Sequence, residues 1–544
     1  MQQNDLSALW QQALVHFQHK RYAEAEALCM ELIRHAPERP LAYAMLAQTC
    51  HVAGLTREAT HNAFLACQRA PTASSQEILE VAEVLVEVGE HQLAHALLGF
   101  IDPELPANAG GLVALARLYS SLEDQTRALR CIELARAAGH DGHVVAHMQG
   151  ILQSFTGPID AAVAACEESV AKAPTYGHGH WSCAQFGRKE GARERVARMR
   201  AALEQPGLEN DDVTYLHYGL FKEFDTLGET DQAWASLMAG AQARRNVTVH
   251  DAAQETAAYD GLIAATSGGF LDQCADVPTD TTPIFVVGMP RTGTTLLERI
   301  LGNHPQIKTC GELNDFRDQM QWVNNRRLSL TLKQDIGEYV ARLDANLLGQ
   351  RYLAKTAWRA EGSTFYVDKH PMNFQWCGAI LKALPHAKII HLRRHPLDSC
   401  FSNLKELFAH KYYPYSYALD ELATHYRNYA RLMRHWHAIA PGRILDVRYE
   451  DLVSQPDVEA RRVQAYLGLQ EVEGVTDILA NKTVTTTAST LQLRQPIHTR
   501  NVGGWRRYAA GMAPVQALLS DLVRAYEDEA AGADVLPLAA ASGA

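Results

Sequence analysis

The sequence predicts two folds in series: an all-α repeat solenoid, then a P-loop-like α/β domain built on a central parallel sheet. Three observations carry this. Small residues recur every 34 positions through the first part. A β-branched run leads into a glycine-rich loop and a helix at 283–300. The charge balance also changes sign. Residues 1–280 hold 20 Lys+Arg against 36 Asp+Glu, which leaves 31 against 26 for residues 281–544 out of totals of 51 and 62.

In the first part, Ala13 and Ala47, Ala25 and Ala59, and Pro37 and Pro71 are each 34 apart. After a slip of one residue the series resumes at Ala82, Ala116, Gly150 and Ala184, with Ala94, Ala128 and Ala162 as a second line. Within a unit the second small residue follows the first by 12 positions. Those are the points where two antiparallel helices must approach closely. Pro37, Pro71 and Pro174 stand where the second helix should end, because proline stops a helix. A helix–turn–helix unit of this length resembles the tetratricopeptide repeat, which implies a superhelical solenoid with a concave face. The array is expected to span residues 1–245, with 246–280 as a linker or connecting helix and 281–544 as the second domain. Two uses stay open: binding a protein or peptide in the groove, or scaffolding and dimerisation. His143 and His147 are four apart, but no acidic third ligand follows at a fixed offset, so no metal site is expected.

Composition excludes several classes. With 544 residues, 47% hydrophobic and 21% charged, the chain has material for about two to four cored domains. A net charge of −11 argues against a general nucleic-acid binder. No run of about 18 apolar residues suggests a membrane span. The ten cysteines form no CxxC pair and no disulfide framework. With no basic and apolar leader at Met1, the expected location is cytoplasmic. The basic excess of the second part suits an anionic ligand.

That ligand has a candidate cradle. Ile284–Val287 reads as a buried strand, followed by Gly288-Met-Pro-Arg-Thr-Gly293-Thr-Thr and a helix starting near Thr294. Free backbone N–H groups at a helix start, together with its dipole, favour an anion. The two glycines have the spacing of GxxxxGK[ST], with Thr295 at the hydroxyl position, but Thr294 replaces the lysine. A metal-bound triphosphate is therefore not expected, and Arg291 supplies the cation instead. About 100 residues on, a second strand, Lys388–Leu392, ends in Arg393-Arg394, with Pro396 opening a helix and Ser402 eight residues after Arg394. In a parallel sheet the ligand lies beyond the carboxyl ends of the strands. Arg394 and Ser402 are thus placed for a second phosphate.

Gly288-Met-Pro-Arg-Thr-Gly-Thr-Thr resembles the 5′-phosphosulfate loop of sulfotransferases that use 3′-phosphoadenylyl sulfate (PAPS), and Arg394 to Ser402 resembles their 3′-phosphate motif. The tyrosylprotein type and its bacterial relatives are the most similar. The resemblance covers about residues 280–510. It implies PAPS as donor, no required metal, and loop contacts from Arg291, Thr292, Gly293, Thr294 and Thr295. It places Glu312, in Cys310-Gly-Glu312, where those enzymes carry a catalytic base. His370 is the competing base. Lys369 matches the lysine that reaches the transferring sulfuryl group, and Arg291 shares that charge. Tyr449 is expected near the adenine. Arg500, Trp505 and Arg506 match a C-terminal loop over the nucleotide, with Thr483–Thr490 as a lid. Segment 313–363 is expected to face the acceptor, and the Tyr412–Tyr417 stretch to be exposed. The expected reaction is sulfuryl transfer to a hydroxyl or phenol, with tyrosine in a recruited polypeptide as the leading acceptor. The alternatives are a small molecule, saccharide or lipid acceptor, or a non-catalytic interaction scaffold with a nucleotide-binding domain.

Overall fold

The structure, a computed structural model, describes residues 3–532 except 330–331, 334, 409–412 and 482–491. The expected lid Thr483–Thr490 and the tail beyond 532 lie outside the described residues. By packing, the chain forms two compact units. One comprises Met1–Lys172, Asn314–Ser329 and Arg342–Arg359, and the other Ala173–Leu313, Leu330–Ala341 and Ala360–Ala544. The division at 245 and 280 stays a proposal about where the repeats end.

In the first unit helices pair as hairpins, beginning Gln3–Gln18 with Tyr22–His35 and Pro40–Ala53 with Thr56–Arg69, and ending His143–Thr156 with Ile159–Lys172. The small residues do what their spacing predicts. Ala13, Ala25, Ala47, Ala82, Ala94, Ala116, Ala128 and Ala162 have no exposed surface. A methyl group on Gly150 would collide with Cys166 Sγ and stand 3.0 Å from the Ala162 carbonyl oxygen. The turn inside each of the first four hairpins holds one residue in the left-handed region, whereas the fifth turns through Gly157 in an extended conformation. The four left-handed residues are Lys20 (φ 59°), Gly54 (83°), Gly89 (80°) and Glu123 (66°). Their spacings of 34, 35 and 34 reproduce the repeat and its single slip.

Segment 313–363 is shared between the two units, with the helix Ile336–Ala341 in the second. Its helices Asp315–Asn324 and Ala345–Ala360 belong almost wholly to the repeat unit and lie along the edge made by those turns. Thr56 Oγ1 donates to the Gln321 carbonyl (2.8 Å), Arg57 Nε to the Trp322 carbonyl (3.0 Å) and Arg57 N to Asn325 Oδ1 (2.9 Å). Lys355 pairs with Glu90, and the Arg351 guanidinium sits 3.4 Å from the Trp322 ring centroid. These contacts satisfy the turns.

The second unit holds five parallel strands, β1 (Thr282–Gly288), β2 (Ile307–Thr309), β3 (Phe365–Asp368), β4 (Lys388–Arg393) and β5 (Ile444–Arg448), in the order β2-β3-β1-β4-β5. Ile284 to Val287 are completely buried, as a strand covered on both faces must be. Register aligns Gly288 with Leu392 and Phe285 with Asp368, so the loops after β1, β3 and β4 emerge side by side. The helices from Gly177–Gln185 to Ala252–Ala265 belong to this unit. One local expectation changes, that of an exposed Tyr412–Tyr417 stretch, of which Tyr412 lies outside the described residues. Tyr415 and Tyr417 are 2% and 3% exposed, and Tyr415 stacks on His425 at 3.4 Å between ring centroids. Tyr449-Glu-Asp is the first turn of a helix, Tyr449–Ser454.

Candidate active site

The loop between β1 and the Thr294–Leu301 helix is held by its own backbone. Gly288 (φ 154°) and Gly293 (φ 103°) adopt conformations that disfavour side chains. A Cβ on Gly288 would stand 2.5 Å from the Leu392 carbonyl oxygen, and one on Gly293 2.6 Å from the Tyr449 ring. Arg291 also takes positive φ, at 65°, a strained choice for a residue with a long side chain. Thr292 Oγ1 donates to the Met289 carbonyl at 2.8 Å, and Asn403 Nδ2 donates to the Pro290 carbonyl at 2.8 Å. Thr294 and Thr295 are buried at the helix start.

Beside this loop lies a cavity lined by Arg291, Gly293, Arg394, Ser402, Lys405, Tyr449 and Asn501, among others. Arg394 is the centre of its wall. It donates from Nη1 to Ser402 Oγ (3.1 Å) and the Arg291 carbonyl (3.1 Å), and from Nη2 to the Asn501 carbonyl. Its guanidinium carbon lies 4.6 Å from the Tyr449 ring centroid. Arg394 is 7% exposed, yet its Nε has no hydrogen-bond partner among the described residues. A buried cation with a donor left over is suited to an incoming anion.

A second group lies at the ends of β2 and β3. Lys369 is fully buried and its ammonium meets Glu312 Oε1 at 2.6 Å and Glu298 Oε2 at 3.7 Å. Glu298 also accepts from the Gly311 N–H at 3.2 Å, tying the loop helix to the segment that carries Glu312. Partial burial pushes the Glu312 carboxyl up, but Lys369, His370 and Arg291 outweigh it and hold the group below its ordinary value. The Glu312 side chain is 38% exposed, so a proton acceptor is open to solvent beside a buried cation.

Among the other expected residues, Arg500 and Arg506 are exposed and outside the cavity wall. Trp505 is buried and stacks near His395 (6.0 Å). The C-terminal loop is nevertheless anchored at the site, because Asp398 accepts from the Gly503 N–H (2.6 Å) and the Trp505 N–H (3.1 Å). Asp398, Glu298 and Lys405 were not singled out by the sequence. Asp398 lies inside the Arg394–Ser402 motif, and an acid in that helix facing a glycine-rich loop is a usable signal. Glu298 and Lys405 have no spacing signal, because their partners are distant in the chain.

One histidine–carboxylate group lies elsewhere. The ligand atoms of His391, His437 and Asp446 lie within 4.8 Å of one another. Asp446 accepts from Arg393 at 3.0 Å and meets both imidazoles at 2.8 and 2.9 Å. A metal would have to compete with that arginine, so the group reads as a hydrogen-bonded network.

Residues 283–473 match the sequence profile of the Sulfotransferase family. An uncharacterized protein of Aquifex aeolicus (strain VF5) is 34% identical over 258 residues, 45% of this chain and 33% of that relative. Protein-tyrosine sulfotransferase 1 of Danio rerio is 26% identical over 192 residues, 34% of this chain and 53% of that relative. The chain thus spans about a third to a half of the length of these two relatives. The solved sulfotransferase domain from the Synechococcus PCC 7002 olefin synthase is 21% identical, with 43% of this chain and 91% of that one covered and a TM-score of 0.32.

Proposed function

We propose that this chain, whose residues 283–473 form a domain of the Sulfotransferase family, transfers a sulfuryl group from PAPS to a hydroxyl or phenol. One observation carries the reading: two cation-bearing loops, at Arg291 and Arg394, flank one cavity beyond the strand ends, and Arg394 Nε is buried without a partner among the described residues.

The residues divide the work as follows. Loop N–H groups after Gly288, with Thr294 and Thr295 at the helix start, hold the 5′-phosphosulfate. Arg394 and Ser402 hold the 3′-phosphate, and Tyr449 faces the base. Selectivity against ATP follows, since a ligand lacking the 3′-phosphate leaves buried cations unpaired. Glu312 removes the acceptor's proton. Lys369 and Arg291 stabilise the charge that grows on the leaving phosphate and the sulfuryl oxygens. When an anion draws Lys369 away, the Glu312 carboxylate loses its closest cation and becomes the stronger base. A tyrosine phenol, with an ordinary pKa of about 10, needs modest help of this kind. Tyrosine in a polypeptide is therefore the favoured acceptor, and the repeats are its proposed recruiting surface. A cytoplasmic location is proposed with it. Among the described residues no helix is long and apolar enough to cross a membrane.

The test is isothermal titration of the full chain with adenosine 3′,5′-bisphosphate, ATP and adenosine 5′-phosphosulfate. The bisphosphate is expected to bind selectively at micromolar levels and to lose roughly 100-fold or more in Arg394→Ala. Equal binding of ATP, or an unaffected mutant, would overturn the donor assignment.

A further inference from the structure

The cavity wall carries more positive charge than Arg291 and Arg394 supply. Lys405 lines it and is partly buried, with its ammonium 5.1 Å from the Phe401 ring centroid. Behind it comes Lys222, from the helix Asn210–Leu227, which lies in the chain before the nucleotide loop. Tyr218, one turn earlier, donates its hydroxyl to the Leu404 carbonyl at 3.0 Å and so fixes that helix against the residue preceding Lys405. Asp225, one turn on, accepts from the Tyr508 hydroxyl (2.6 Å) and pairs with Arg507 (2.9 Å). The Lys222 ammonium rests 5.5 Å from the Trp181 ring centroid. Among the described residues neither lysine has a carboxylate within salt-bridge distance. The nearby acids are engaged elsewhere, Glu406 with Arg291 at 3.4 Å and Asp225 at the C-terminal loop.

We propose that Lys405, backed by Lys222, is a further anion-binding residue of this pocket and takes a phosphate monoester as its counter-ion. On the donor-site reading above, on which this inference rests, that group is the 3′-phosphate. The helical segment 173–245 is then part of the donor site, through Lys222 and the fixing bond of Tyr218.

The charged groups facing Lys405 are Lys222, Arg291, Arg394 and, with opposite sign, Asp225. Burial and the three cations lower its ammonium to about 7. Burial likewise lowers Lys222. Near neutral pH Lys405 is therefore partly unprotonated in the empty pocket, and an arriving phosphate draws a proton onto it. Affinity should fall as pH rises above about 7. It should also fall below about 6, where the phosphate monoester itself gains a proton.

The experiment is calorimetric titration of the full chain with adenosine 3′,5′-bisphosphate and, separately, adenosine 5′-phosphate. Each is run at pH 8 in two buffers of different ionisation enthalpy. The wild-type chain is expected to take up roughly one proton per bisphosphate bound. Lys405→Met should weaken the bisphosphate about tenfold or more and leave adenosine 5′-phosphate little changed. Lys222→Met should weaken the bisphosphate less. Lys405→Arg should keep the affinity and abolish proton uptake, because arginine stays protonated. Wild-type uptake near zero, or equal losses for both ligands in Lys405→Met, would overturn the inference while leaving the donor site intact. Failure of the wild-type chain to bind the bisphosphate at all would instead remove the donor reading, and this inference with it. Binding of adenosine 5′-phosphate by Lys405→Met serves as the control for its fold.

Discussion

The pairing of Glu312 with Lys369 sets the chemistry available to a single proton acceptor. A general base must be unprotonated, and Glu312 is held below its ordinary carboxyl range. On this assignment kcat/KM for the acceptor, measured at saturating donor, keeps no acid limb near pH 6 to 7 and falls only as pH drops below about 4.3, an ordinary glutamate value. A histidine base would instead bring an acid limb into the ordinary imidazole range, about 6.5. Glu312→Gln, which keeps a hydrogen-bond acceptor for Lys369, is expected to lower kcat by about 10²- to 10⁴-fold. A pH–rate profile and the mutant together separate the two bases. Glu312 was singled out through the resemblance of Cys310-Gly-Glu312 to the tyrosylprotein type, and its role as base is a proposal. Its closest partner was singled out too, but the contact was not, since 57 residues separate Lys369 from Glu312.

At the level of elements, the loop after β1 and the loop at 503–505 are shaped by groups that allow no substitute. Gly293→Ala meets both a positive φ and the Tyr449 ring, so it should abolish nucleotide binding and lower stability by about 1–3 kcal/mol. Asp398→Ala removes the acceptor of two backbone N–H groups. Hydrogen exchange over residues 501–508 should then rise sharply, with donor affinity reduced and the sheet's protection unchanged. Such elements are where sequence reading worked best. Strand runs of β-branched residues, glycine at turns and proline at helix starts are local signals, and β1, β4 and the Pro396–Leu404 helix fall where those signals put them. Reading failed where burial is decided by distant chain. The tyrosines at 415 and 417 have the composition of an exposed loop and are buried by the helices around them.

Across the molecule, the repeat unit carries acids in an unfavourable place. Burial, with Asp315 and Glu90, pushes Asp318 up to about 7 despite Arg317 and Gln321. Burial likewise pushes Asp315 up to about 6. An aspartate whose folded pKa stands above its unfolded value of about 3.9 holds a proton in the folded chain that the unfolded chain releases. Stability should therefore fall as pH rises from about 4 to 7 and level off above that. Asp318→Asn, which keeps the acceptor for Gln321, should raise Tm by roughly 2–4 °C at pH 8 and by little at pH 5. Differential scanning at the two pH values checks it. Periodicity revealed the repeats, but not that two helices from the second half would complete their edge, because those helices carry no trace of the 34-residue period.

That shared edge has a consequence for synthesis. A ribosome makes residues 1–172 before 314–359, and segments made earlier generally fold earlier. Here the unit is finished by Arg342–Arg359, which is made after β1, β2 and the nucleotide loop. The turns at Gly54, Gly89 and Glu123 must wait, uncovered, for about 170 further residues at roughly 5–20 per second, so some ten seconds or more of exposure falls to chaperones. A chain cut short before residue 314 lacks both helices that cover that edge.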